Sequence, residues 1–210
     1  MTKLFFFFFL DDIFYNLLKT DPYNARQIYD AFQIPNGNKK VKKLDEILIK
    51  INRTNPIFYF ECVKRHYHYS VMHFAAEHGD RDVVEFISDK LYEKNPAYTT
   101  TDDLSGLTPL HTAVLGGQYE IVQFLISTLK KDERNPAADN GVTPAHFAAE
   151  RGMINILDLL LPDLENKNPE ADGGVTLLHY AANYSIIVLT TGVPTIKYLS
   201  KFVKEISLPL

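Results

Sequence analysis

The sequence predicts an all-α solenoid made of stacked helix–turn–helix units with hairpin-like loops between them. Three recurring features predict it. A segment centred on a histidine occurs four times, with the histidines at positions 73, 111, 146 and 179. A glycine follows each of the first three segments, at 79, 117 and 152. A second apolar stretch then runs into an Asn-Pro pair, at 95–96, 135–136 and 168–169.

Each unit is predicted to begin with a short helix that carries the histidine. These segments span residues 70–76, 108–114, 143–149 and 176–182. In the second, Thr108 is expected to cap the helix and Pro109 to occupy its first position, where no N–H is needed. Gly117 is expected to supply a turn with positive φ. The apolar residues that follow are spaced for a second helix, which the Asn-Pro pair ends.

Residues 103–117 resemble the ankyrin repeat nearly position for position, above all in Thr108-Pro109-Leu110-His111. The resemblance covers residues 66–207, with repeats at about 66–98, 103–135, 138–168 and 171–207. It weakens in the first unit, where Ser70 and Val71 replace Thr and Pro, and in the fourth, where Leu177 replaces Pro. Weaker terminal units are typical of a solenoid.

The fourth unit leaves two questions open. Residues 185–191 lengthen the link between its two helices, so that either a loop extends there or the second helix is displaced. In the last helix, Lys197 and Lys201 suit a capping unit with a polar outer face, whereas Leu199 and Phe202 would suit the stacking of a further repeat.

Residues 1–65 are predicted to form a degenerate helical cap before the repeats. Residues 44–56 have the pattern of a second helix running into Asn-Pro, which indicates a degenerate repeat, and residues 11–34 are amphipathic. The five phenylalanines at 5–9 are followed by acidic residues, and the apolar run is shorter than the about 20 residues that span a membrane. We expect this run to pack on the first repeat; the alternative is a membrane-tethered or secreted protein.

Similarity to ankyrin repeats implies a protein–protein interaction module, not an enzyme, that binds a partner protein through a concave groove, as a scaffold, adaptor or inhibitor. The resemblance places the partner contacts beside the turn glycine and at the end of each first helix. The predicted contact residues are Tyr67, Tyr69, Glu77, His78, Leu104, Ser105, Leu107, Leu115, Asp139, Asn140, Val142, Glu150, Arg151, Asp172 and Tyr184. The tyrosines and leucines of this set are its most apolar part, and aromatic side chains dominate interface hot spots.

The recurring histidines invite a metal or catalytic interpretation, but each occupies the same place in its own unit. We therefore expect each ring to hydrogen-bond the neighbouring turn, one repeat from the next histidine and too far away to share a metal ion. Histidines 66, 68, 73 and 78 could converge near the first unit, but no carboxylate pattern supports a zinc site there. No phosphate loop or hydrolase motif is present, so we predict no metal, cofactor or small-molecule substrate.

Charge and cysteine content bound the remaining classes. Twenty-two basic and 26 acidic residues give a formal net charge of −4, which encodes no general attraction to nucleic acid or anionic lipid. Cys62 is the only cysteine, so no disulfide framework exists within the chain. We interpret Cys62 as a buried apolar residue and place the protein in the cytoplasm or nucleus, with membrane association the minor alternative.

Overall fold

The computed structural model describes residues 22–35, 37–52, 59–62, 67–91, 106–187 and 192–206. Two helices come first, α1 (Pro22–Phe32) and α2 (Asn38–Asn52), and a β-hairpin follows, β1 (Tyr59–Cys62) and β2 (Tyr67–Ser70). Four helix pairs and the loops between them make up the rest of the described chain, which confirms the predicted solenoid.

Each pair has an inner helix that carries the repeated histidine and an outer helix that follows it. The pairs are α3 (Val71–His78) with α4 (Arg81–Leu91), α5 (Pro109–Leu115) with α6 (Tyr119–Thr128), α7 (Pro144–Glu150) with α8 (Ile154–Leu160), and α9 (Leu177–Ile187) with α10 (Gly192–Ile206). Inner helices pack against one another in sequence, α3 on α5, α5 on α7 and α7 on α9. The buried core therefore runs along the whole stack rather than closing within one unit.

The predicted start of an inner helix is confirmed in the second unit. Thr108 is the N-cap of α5, with an extended backbone, and its hydroxyl accepts from the N–H of His111 at 3.5 Å. Pro109 follows at the first helical position. Gly117, at φ 68°, then redirects the chain into the outer helix. The motif thus fixes both ends of a helix of only seven residues.

Small residues let neighbouring inner helices approach closely. Ala75, Ala113 and Ala148 are each fully buried, at 0% exposure. Gly116 lies so close to the preceding unit that a Cβ atom there would be 1.9 Å from the carbonyl oxygen of Glu77. Residues as small as Ala and Gly are therefore required at these positions, because neighbouring units pack so closely.

The loops between units form short fingers. β1 and β2 pair antiparallel, with Tyr59 opposite Ser70 and Cys62 opposite Tyr67. The third finger is a turn in which the N–H of Ala138 donates to the carbonyl of Val142 at 2.8 Å. The fourth pairs β3 (Glu170–Ala171) with β4 (Val175–Thr176) around two glycines of positive φ.

The N-terminal helices cover one end of the stack. The ring of Phe32 on α1 meets the ring of Phe74 on α3 edge to face, with centroids 4.8 Å apart. Lys40 on α2 donates to both carboxylate oxygens of Asp80, at 2.8 and 3.0 Å, although its side chain is 5% exposed. The phenylalanines at 5–9 lie outside the described residues.

The fourth unit resolves part of the question raised by its longer link. Residues 185–187 do not begin a loop; they continue α9, which has 11 residues where α5 and α7 have seven. Ser185 stands where Gly79, Gly117 and Gly152, with φ between 67° and 76°, end the other inner helices. Without a glycine at this point the helix continues. Residues 188–191 lie outside the described residues.

Candidate partner-binding surface

The tips of the third and fourth fingers present exposed polar side chains. Asp139 and Asn140 lie at one tip and Asp172 at the next, and all three are exposed. We call the exposed residues of these tips and of the inner-helix ends the finger-tip surface. Glu170, which the sequence analysis missed, is also exposed on β3 beside Asp172. The sequence indicates Glu170 only by its place two residues before Asp172, which was predicted as a contact residue.

Hydrogen bonds hold the backbone of these tips. The side chain of Asn140 accepts from the N–H of Val142 at 3.2 Å, which closes the turn locally. The carbonyl of Asn140 accepts from the N–H of Asp172 at 3.0 Å, so the third finger is bonded to the fourth. The acidic side chains therefore project from a backbone whose position is already fixed.

The ends of the inner helices are bonded from one unit to the next. The carbonyl of Glu77 accepts from the side-chain amide of Gln118 at 3.0 Å, and that of Leu115 accepts from the guanidinium of Arg151. Arg151 is exposed but tied to the preceding unit. Leu115, Glu77 and Glu150 are half-buried. Glu77, Leu115 and Glu150 are therefore less exposed than the residues of the finger tips, and the side chain of Arg151 is held by its bond to Leu115.

In the first unit, the predicted contact residue His78 packs against its own helix. The ring of His78 stacks on Phe74 with centroids 4.1 Å apart, and its Nδ1 lies 2.9 Å from the carbonyl of Phe74. Burial lowers the pKa of His78, while the bond to Phe74 and the charge of Asp80 oppose that shift. His78 therefore packs within its own unit. Tyr67 and Tyr69 lie on β2.

Two predicted contact residues are not on the surface. Leu107 is 3% exposed and Val142 is 4% exposed, so their assignment to a partner-facing surface is wrong. Each follows the turn glycine of its finger, and its carbonyl faces the histidine of the preceding unit. Leu104 and Ser105 lie outside the described residues, and Tyr184 lies on α9.

The histidines form the predicted ladder. Nε2 of His73 lies 3.0 Å from the carbonyl of Leu107, and Nε2 of His111 lies 3.2 Å from that of Val142. The N–H of Thr108 donates to Nδ1 of His111 at 3.0 Å, so this nitrogen carries no proton and Nε2–H is the donor to Val142. The imidazole is therefore neutral and bonded on both sides.

Burial lowers the pKa of all three buried histidines of the ladder. Desolvation lowers the pKa of His73 to about 4 and that of His111 to about 3, against the opposing effect of their carbonyl partners. Desolvation also lowers the pKa of His146. Nε2 of His146 makes no hydrogen bond of standard geometry, yet the carbonyls of Val175 and Pro169 lie close enough to oppose that shift.

Within the described residues, no three His, Cys, Asp or Glu side chains are grouped so that they could hold a metal ion. His68 lies on β2, and His66 is outside the described residues. No helix among those described has the length and apolar character that a membrane crossing requires.

The sequence is similar to known ankyrin-repeat proteins. A family model for ankyrin repeats (three copies) matches residues 37–136, so the match begins near the start of α2. The ANK repeat-containing protein nipk-1 of Caenorhabditis elegans is 30% identical over 98 residues, which are 45% of this chain and 16% of that protein. The ankyrin repeat domain-containing protein SOWAHD of Mus musculus is 28% identical over 92 residues, 43% of this chain and 28% of that protein. This chain therefore spans less than a third of either relative.

Proposed function

Because this chain belongs to the ankyrin-repeat family, whose members are generally protein–protein interaction modules, we propose that it is a non-catalytic module that binds one partner protein through the finger-tip surface. In this role it would act as a scaffold, adaptor or inhibitor. The lone cysteine suits a reducing compartment, so we place the protein in the cytoplasm or nucleus.

The observation that carries the proposal is the combination of exposed side chains with an anchored backbone. Asp139 and Asp172 project from fingers that are hydrogen-bonded to each other and to the histidine ladder. A surface ordered before binding loses less conformational entropy when the partner arrives, and more of the contact energy remains as affinity. Solenoids use such extended surfaces for recognition.

A comparison of two triple variants tests the proposal. The finger-tip variant carries Asp139→Arg, Glu170→Arg and Asp172→Arg, which reverse three exposed charges. The matched control carries Glu120→Arg, Asp132→Arg and Glu165→Arg, which make the same change of net charge at exposed positions on α6 and in the loops that follow α6 and α8. Circular dichroism establishes that both variants remain helical.

Each immobilised variant is exposed to cell lysate beside the wild-type chain, and captured proteins are quantified by mass spectrometry. We expect a protein captured by the wild type and by the control but depleted at least tenfold with the finger-tip variant, because reversal of a charge in an interface costs more than about 1.4 kcal/mol. Equal capture by both variants would refute the use of the finger-tip surface.

A further inference from the structure

The tip of the third finger carries an asparagine followed by a glycine, Asn140 and Gly141. Asn140 is exposed and Gly141 is half-buried. An asparagine before a glycine is especially reactive in spontaneous deamidation, because glycine has no Cβ to shield its backbone nitrogen from the neighbouring side chain. The tip therefore combines a reactive pair with access to water, which the second step of that reaction consumes.

A hydrogen bond inside the turn holds the reacting side chain in place. Oδ1 of Asn140 accepts from the N–H of Val142 at 3.2 Å, so the side chain folds back over the peptide group that joins it to Gly141. The backbone nitrogen of Gly141 is the nucleophile of deamidation, and Cγ of Asn140 is its target. The turn thus keeps the target beside the nucleophile.

Other contacts of the fingers restrain the nucleophile. The N–H of Gly141 donates to the carbonyl of Ala138 at 2.8 Å, and the nitrogen must give up this proton before it attacks. The fourth finger also lies close to the glycine, because a Cβ on Gly141 would be 3.1 Å from Cα of Ala171. The carbonyl of Asn140 accepts from the N–H of Asp172 at 3.0 Å. Reaction therefore requires the third finger to open locally.

We propose that Asn140 is a site of spontaneous deamidation whose rate is set by local opening of the third finger. Once the bond to Ala138 opens, the nitrogen of Gly141 loses its proton and forms a bond to Cγ of Asn140. The bond from Cγ to the side-chain nitrogen breaks, and this nitrogen takes up a proton and leaves as ammonia. Water then opens the five-membered succinimide at either of its carbonyls. The products are aspartate and iso-aspartate, in which the main chain runs through the former side chain.

Iso-aspartate changes the finger itself. It adds one carbon to the main chain between Ala138 and Val142, which the native turn joins by a bond from N–H to carbonyl of 2.8 Å. We expect the lengthened turn to lose this bond. Both products also add a carboxylate beside Asp139 on the finger-tip surface. The modification is independent of the proposed binding function, because it occurs whether or not a partner uses this surface.

Asn166 is an internal control that differs in the residue that follows it. Asn166 is exposed, and its Oδ1 accepts from the N–H of Asn168 at 3.0 Å, the same bond to the second residue along the chain. The residue after it is Lys167, whose Cβ shields the backbone nitrogen. A comparison of the two asparagines therefore isolates the effect of the glycine.

Incubation of the purified full chain at mildly alkaline pH, where a backbone nitrogen loses its proton more readily, tests the proposal. Peptide mapping with mass spectrometry quantifies both products at each asparagine, and it separates Asn140 from the other asparagine that precedes a glycine, at position 36. A synthetic peptide of residues 136–145, which has no folded neighbours, is incubated beside the chain. We expect Asn140 of the chain to react faster than Asn166 but about tenfold more slowly than in the peptide, a factor that corresponds to about 1.4 kcal/mol of opening.

A rate at Asn140 no higher than at Asn166 overturns the assignment of the site. Equal rates in the chain and in the peptide overturn the control by the third finger. The freshly prepared variant Asn140→Asp carries the new charge without the longer main chain. We expect hydrogen exchange of the Ala138 amide to be faster in the iso-aspartate form, isolated by ion exchange, than in this variant, and equal exchange would contradict the loss of the turn bond.

Discussion

Acidification should destabilise this fold through its buried histidines. His73 and His111 are held neutral, with the pKa of each lowered by burial, to about 4 and about 3. In the unfolded chain both rings return to the ordinary pKa of about 6.5 and take up protons more readily. Because the folded pKa is the lower one, the stabilisation is complete above about pH 6.5 and is lost as the pH falls toward the folded pKa.

The size of the loss follows from these pKa values. Between pH 7 and pH 5 the unfolded state binds nearly one proton at each of the two rings while the folded state binds almost none. Each ring then lowers the free energy of unfolding by about 2 kcal/mol, so the pair lowers it by about 4 kcal/mol. This is a large fraction of the stability of an ordinary domain.

Urea unfolding at pH 7 and pH 5, followed by circular dichroism, measures the loss. His111→Gln should lower stability at pH 7 because it removes the bonds to Thr108 and Val142, but its loss between the two pH values should be about 2 kcal/mol smaller than in the wild type. Carboxylate titrations are common to both proteins and cancel in this difference.

Identical pH dependence in His111→Gln and the wild type would refute the reasoning, because it would mean that burial of the ring does not exclude the proton.

Two further predictions concern packing. Gly116→Ala should lower the free energy of unfolding in urea by about 2 to 3 kcal/mol, because its Cβ would meet the Glu77 carbonyl. Gly173→Ala, at φ 75° in open space, should lower it by only about 1 kcal/mol. Equal costs would contradict the close approach of the helices. Lys40→Met should lower the free energy of unfolding by about 3 kcal/mol, because it removes the lysine that bonds both oxygens of the Asp80 carboxylate, a side chain that is 12% exposed. A loss below about 1 kcal/mol would show that the pair contributes little to stability.

The sequence predicted those features that depend on one unit and its nearest neighbour. Thr108, Pro109 and Gly117 define the ends of a helix by local chemistry, and all three behave as predicted. The bond from His111 to the next finger also follows, because the unit repeats and each histidine meets the same element of its neighbour.

Contacts between distant or inequivalent residues were beyond sequence reasoning. Lys40 and Asp80 are 40 residues apart, and nothing in either segment indicates that a lysine is buried there. Leu107 was assigned to a partner surface because it lies beside a turn glycine, but its side chain is 3% exposed, so a place beside that glycine does not by itself put a residue on the surface.

Place in the stack thus matters as much as place in the unit. His111 and His179 have the same cap, in which Nδ1 accepts from a threonine N–H, yet one ring is fully buried and the other is exposed. The first is covered by the finger that carries Val142, and the second has no such finger over it among the described residues.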